Sequence, residues 1–266
     1  MAQIYYSDRQ IDKIHEAGRV AGQCLAIVKD MVAPGMTTRK IDEAVAAHIK
    51  KAGGTSPFLN YQLPGKIPFP ATICASVNEV VVHGIPDDRP LVEGDLVSID
   101  CGVRLNGYIG DTAWTFPIGK PSAETQKLLQ AGKEALYAGI KAARPKGPLG
   151  EVSRAIQTLV EARGFSVVRD YVGHGVGMSL HEEPQVPNYV KPGDMLPLFR
   201  TLLKPGMVFA IEPMVNEGTA QVTSEDKDWP VSTADNRRSV HFEHTVAIRA
   251  DKVEILTLWD GCENPL

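Results

Sequence analysis

Asp100, Asp111, His174, Glu212 and Glu243 are the residues of this chain whose types together suggest chemistry. Four carboxylates and one imidazole are too acidic and too hard a donor set for a structural zinc. Such a set suits two divalent cations that share bridging oxygens, an arrangement that makes a hydroxide at neutral pH.

The local patterns around these residues say how they meet. Asn106-Gly107 lies between two β-like runs and predicts a two-residue hairpin turn. That turn pairs Leu105 with Tyr108 and Gly102 with Asp111, so Asp100 shares a sheet face with Asp111 as a diagonal neighbour. Gly102, lacking a side chain, is expected to leave room for metal between them. Glu212 ends the apolar strand Val208-Phe209-Ala210-Ile211, where an unpartnered carboxylate would be costly. Alternation through 239–248 puts His241, Glu243 and Thr245 on one face and turns His244 to the other. His174 sits among glycines that let backbone approach closely and expose its ring. His181, downstream and before Glu182-Glu183-Pro184, is a candidate for substrate or transition-state contact, whereas His15 and His48 read as ordinary helix residues.

The elements that carry these groups occur twice. Ile11, Ile14, Ala21, Leu25 and Val28 keep helix spacing after Ser7 or Asp8, and Pro34-Gly35 stops the run. Ile41, Val45 and Ile49 mark a second helix ending at Gly53-Gly54. In the second half Ser122 caps a helix through Leu128, Leu129, Leu136 and Ile140, and Val152, Ile156 and Leu159 mark another that ends at Gly164. His83-Gly84-Ile85 then answers His174-Gly175-Val176, and the segment 91–100 answers 203–212, so Asp100 falls opposite Glu212. Two α+β halves, about 1–120 and 121–266, related by a pseudo-twofold would bring their acidic strand ends to a shared centre. Leu63–Pro70 and Lys191–Thr201 both read as surface loops.

The bulk numbers bound the rest. With 266 residues, 43% of them hydrophobic, the chain can bury a sizeable core. A formal net charge of −4 offers no electrostatic case for DNA or an acidic membrane. Four cysteines without a CxxC pair read as free thiols of a reducing cytoplasm. No apolar run approaches the ~18 residues of a membrane span, and the start of the chain lacks the pattern of an export signal.

The motifs, taken in order, resemble a known family. Segment 83–102, with His83-Gly-Ile-Pro and Ser-Ile-Asp100-Cys-Gly, is similar to the signature of type I methionine aminopeptidases. So are Gly173-His-Gly-Val-Gly, His181-Glu-Glu-Pro-Gln-Val, Lys204-Pro-Gly-Met, Ile211-Glu-Pro-Met-Val and Phe242-Glu-His-Thr. The similarity runs over essentially the whole chain and fits the bacterial-type minimal form without an extension.

The resemblance implies a pita-bread α+β fold in a single catalytic domain, 1–266, with a pseudo-twofold repeat of helices around a central antiparallel sheet. It implies removal of the initiator methionine when the second residue is small, by two divalent ions drawn from Co, Mn, Fe and Zn. On the matching positions Asp100 and Asp111 would hold one metal, His174 and Glu212 the other, and Asp111 and Glu243 would bridge. Glu212 would shuttle protons, His83 would meet the attacked or departing groups, and His181 the scissile carbonyl. The methionine pocket would comprise Phe58, Tyr61, Phe69, Cys74, Leu180 and Trp229, beside His83 and His181. Phe58 stands where bacterial members carry Cys, and Leu180 where they carry Phe; the latter change is expected to bring some tolerance for Thr or Val at the second position. The implied partner is the N-terminus of a new protein, with transient ribosome association, in a cytoplasmic monomer. Two rivals have the same fold: an aminopeptidase P or prolidase-like peptidase, and an inactive relative that binds a partner.

Overall fold

Ser7 sets the first element. Gln10 reaches back to accept from its N–H at 3.0 Å and its hydroxyl at 2.8 Å, starting α1 (Asp8–Met31). The Thr37 hydroxyl accepts from the Lys40 N–H to start α2 (Thr38–Lys51), whose Ile41, Val45 and Ile49 are buried. In this computed structural model, residues 3–191, 195–225, 227–262 and 265–266 are described.

The chain then forms β1 (Cys74–Val77), β2 (Val80–Val82), β3 (Leu96–Leu105) and β4 (Tyr108–Pro117). The β3–β4 hairpin turns at Asn106 and Gly107, both at positive φ (51° and 83°). Two such residues make the turn whose twist matches paired strands. Its register pairs Leu105 with Tyr108 and Gly102 with Asp111, as the sequence predicts. Ser122 caps α3 (Ala123–Ala142), accepting from the Thr125 N–H at 3.1 Å, and α4 (Gly150–Ala162) follows. β5 (Ser166–Val167), β6 (Gly173–Gly175) and β7 (Glu182–Val186) precede a short helix, α5 (Met195–Arg200). The last part is all strand: β8 (Val208–Ile211), β9 (Met214–Asn216), β10 (Val222–Ser224), β11 (Val231–Thr233), β12 (Ser239–His241), β13 (His244–Ile248) and β14 (Val253–Ile255).

Two expectations change here. The segment 191–201 is not wholly loop, because Met195–Arg200 is helical; its residues 192–194 lie outside the described residues. The strand-like run 239–248 is broken at Phe242-Glu243, where the chain passes from one sheet to another.

Among the described residues every strand pair is antiparallel, in four sheets with the orders β1-β3-β4, β10-β11-β2, β12-β9-β5 and β14-β13-β8-β6-β7. Helix α1 packs on β3 and β4 with α2 against it, and α3 packs on β8, β9 and β12 with α4 against it. One buried cluster runs through both halves, from Leu25 and Ile41 through Ile99 and Trp114 to Leu136, Ile156, Phe209 and Val246. Helix α1 lies directly on β4 because Gly18 and Gly110 face each other backbone to backbone. That contact fixes the strand one residue before Asp111. No described helix is long and apolar enough to cross a membrane.

Candidate metal centre and its pocket

Asp111 lies on β4 and Glu243 in the link between β12 and β13, and two threonines join their backbones. The Thr245 hydroxyl donates to the Asp111 carbonyl at 2.7 Å and accepts from its N–H at 3.1 Å. The Thr112 hydroxyl donates to the Glu243 carbonyl at 2.7 Å, and the Glu243 N–H donates to the Ala113 carbonyl. His174 enters from β6. A side chain at Gly173 would strike the Ala210 carbonyl, and one at Gly175 the Glu183 carbonyl, so these glycines serve close packing of β6 between β7 and β8.

Ligand atoms of Asp111, His174 and Glu243 lie within 4.8 Å of one another. Glu212, just beyond β8, puts Oε1 at 3.4 Å from His174 Nε2, and Asn188 holds its backbone carbonyl at 3.0 Å. Asp100 pairs with Ala113 on the hairpin and so lies diagonal to Asp111, close enough for each carboxyl to shift the other. All five residues line one cavity of about 450 Å³.

The electrostatics call for cations. Burial, with Asp111 next and then Glu212, pushes the Asp100 carboxyl well above its usual range. Burial and the neighbouring carboxylates do the same to Glu212 and Glu243, and burial raises Asp111 to about 7. Asp100 Oδ1, Asp111 Oδ1, Glu212 Oε1 and Glu243 Oε1 are buried with no hydrogen-bond partner. Four carboxylates crowded this way would repel each other as anions, and each orphaned oxygen is costly. His174 is lowered to about 3, by burial and then by His181, so its imidazole is neutral and able to ligate. These residues fit divalent metal, as hard oxygen donors with one imidazole.

The same cavity continues into an apolar chamber. Phe58, Tyr61, Phe69, Cys74, Leu180 and Trp229 line it, as do His83 and His181. Phe69 meets Trp229 edge-on at 5.4 Å, and the Trp229 Nε1–H donates to the Ile67 carbonyl at 2.8 Å. Leu63 is also in the wall, so the 63–70 loop contributes to the pocket as well as to the surface. His83 adopts the left-handed conformation (φ 61°), a strained choice for a non-glycine residue. Its ring is held edge-on by Tyr171 at 5.5 Å and Trp229 at 6.1 Å. Burial lowers it to about 4, with His181 and then Lys66 contributing. His181 meets His174 edge-on at 4.4 Å, and its Nδ1 lies 2.8 Å from the Tyr61 hydroxyl.

The structure thus gathers every site residue singled out in the sequence. It corrects one reading: a side chain at Gly102 would meet Pro57 at 2.8 Å and Phe58 at 2.9 Å, so the space beside Asp100 and Asp111 holds pocket wall. It also adds two residues. His241 lies in the cavity with Nε2 at 3.5 Å from Glu212 Oε2, and alternation with Glu243 was the signal for it. Tyr171 gave no signal, since only folding brings it to His83.

A mixed-donor acidic centre on two packed α+β halves defines a pita-bread metallopeptidase. Residues 12–250 match metallopeptidase family M24, and the chain belongs to that family. It is 46% identical over 249 residues to methionine aminopeptidase 1 of Bacillus subtilis (strain 168), covering 94% of this chain and 96% of that protein. Among solved structures, methionine aminopeptidase from Rickettsia prowazekii superposes with a TM-score of 0.90 at 36% identity, covering 97% of this chain and 100% of that one. The Thermotoga maritima methionine aminopeptidase gives 0.89 at 38% identity, covering 96% and 99%.

Proposed function

We propose that this chain is a methionine aminopeptidase, one catalytic unit that removes the N-terminal methionine from proteins whose second residue is small. One observation carries the reading: a carboxylate–imidazole centre and an aromatic-walled apolar chamber share one cavity. Asp100 and Asp111 would hold one divalent ion, His174 and Glu212 a second, with Asp111 and Glu243 shared between them. Co, Mn, Fe and Zn all suit these donors. When bound, the ions supply Lewis-acid activation of water and of a carbonyl oxygen.

The chain's own residues do the rest. Phe58, Tyr61, Phe69, Cys74, Leu180 and Trp229 take up the methionine side chain, a soft and flexible group. Asp100 reads the free α-amine, which restricts entry to N-termini. Glu212 accepts the proton of the attacking water and delivers it to the leaving amine. His181, with Nδ1 occupied by Tyr61, keeps Nε2 for the scissile carbonyl region. His83 meets the attacked or departing groups as a neutral imidazole. Proteins just made are the source of such N-termini, so transient ribosome association in the cytoplasm and a monomeric enzyme belong to the same reading.

The test is hydrolysis of Met-Ala-Ser, Met-Lys-Ser and an Xaa-Pro peptide by metal-stripped protein resupplied with each ion. Rapid release of methionine from Met-Ala-Ser alone is expected, with Thr and Val tolerated after Met because Leu180 is narrower than an aromatic. Met-Lys-Ser cut as fast as Met-Ala-Ser overturns the specificity. Cleavage of the Xaa-Pro peptide alone would make the chain prolidase-like. Metal binding without any hydrolysis would make it a binding protein.

A further inference from the structure

The loop that carries His181 is held by a residue from the start of the chain. Tyr6, buried, donates its hydroxyl to the Glu182 carboxylate, at 2.8 Å from Oε1 and 2.9 Å from Oε2. The same oxygen accepts from the Met178 N–H at 2.9 Å. Glu182 Oε1 also accepts from the Ser179 N–H at 2.8 Å, so one phenol and one carboxylate hold the loop just before His181. A side chain at Gly177 would strike the Tyr6 ring, so the loop is shaped around it. Tyr6 is anchored in turn, because its N–H donates to the Gly206 carbonyl at 2.8 Å. Further along the same segment, the Gln3 amide donates to the Glu183 carbonyl at 3.1 Å. Burial, with Glu182 adding to it, raises the phenol far above its ordinary range, so it keeps its proton and remains a donor.

We infer that Tyr6 is a positioning residue for His181: the N-terminal segment straps the 177–182 loop through the Tyr6 hydroxyl and sets where the His181 ring meets substrate. The inference rests on the catalytic part proposed for His181 above. The Tyr61 hydroxyl at Nδ1 and the edge contact with His174 orient the His181 ring without fixing the backbone beneath it. Tyr6 and Glu182 hold the N–H groups of Met178 and Ser179, while Ile109 and Arg104 hold the carbonyls of Gly177 and Met178 from the hairpin side. Small misplacements of a group that acts on the transition state cost rate out of proportion to their size.

A double-mutant cycle of Tyr6→Phe and His181→Ala tests this, on the metal-loaded enzyme with Met-Ala-Ser. Metal affinity and melting temperature are followed alongside. Tyr6→Phe keeps the ring and removes only the hydroxyl. It is expected to lower kcat/KM about tenfold, mainly through kcat, with metal affinity unchanged. In the His181→Ala background the same change should cost less than about twofold, because the group it positions is gone. An equal loss in both backgrounds, or no loss in the wild-type background, overturns the positioning role and leaves the proposed reaction standing. Full activity of His181→Ala overturns both this role and the part assigned to His181.

Discussion

Asp111 is the residue on which the centre converges. It opposes Gly102 on the hairpin, lies diagonal to Asp100, and has a carboxylate oxygen 4.0 Å from His174 Nε2. Its charge contributes to raising Asp100, Glu212 and Glu243. Asp111→Asn removes the anionic donor proposed to be shared and should leave less than about a tenth of wild-type turnover. It should also weaken both metal equivalents in calorimetric titration. Turnover above that level would show that Asp111 is not a shared ligand. His83 predicts the opposite pattern. It touches Tyr171 and Trp229 and faces the cavity from a strained backbone. His83→Ala should keep metal content and fold while turnover falls by about 10²-fold, the scale of a lost acid–base contact. Loss of one metal equivalent in that variant would make the ring a ligand.

The hairpin β3–β4 is the element that joins the candidate metal centre to the apolar chamber. Its partners on the pocket side are Pro57 and Phe58, packed where Gly102 has no side chain. Gly102→Ala should push Phe58 off its place and destabilise the protein by about 1–3 kcal/mol, the usual cost of overpacking. Peptidase activity should fall with it, and denaturant unfolding with a matched kinetic assay would check both. An unchanged midpoint would mean that Phe58 yields without strain. This hairpin was legible because Asn-Gly specifies its turn and a period of two then fixes which residues share a face. The glycine was misread, since sequence shows that a side chain is missing but not what fills the space. The helix at Met195–Arg200 was hidden because the two prolines and the glycine of 191–201 argue for loop, whereas packing beside α4 supports a short helix. His241 and Glu243 shared a face by alternation, yet their strands part at Phe242-Glu243. Which sheet each would join depends on contacts far away in sequence. The same is true of Tyr171 against His83 and Tyr6 against Glu182.

At the scale of the whole molecule, the centre sets how stability depends on pH. Without metal, Asp111 keeps its proton to about 7, and Asp100, Glu212 and Glu243 are also raised well above the ordinary carboxylate range. The unfolded chain releases those protons near pH ~4. Above that value the folded, metal-free chain binds more protons than the unfolded one, so stability falls as pH rises through the folded values. The buried histidines act in the other direction. His83 is lowered to about 4, and His174, His241 and His244 to about 3, chiefly by burial. Their contribution is lost as pH drops below ~6.5 and adds no slope above it. The window from pH ~6.5 to ~8 therefore isolates the carboxylates. In that window the melting temperature of metal-stripped protein should fall as pH rises. Added manganese or cobalt should raise the melting temperature more at the alkaline end, because the cation takes the place of protons the carboxylates must otherwise hold. Asp111→Asn should flatten the slope of the stripped protein, since one titrating group and its repulsion of the other carboxylates are both removed. A melting temperature of the stripped wild type that is level or rising across the window would show that the four carboxylates do not share one charge-starved site.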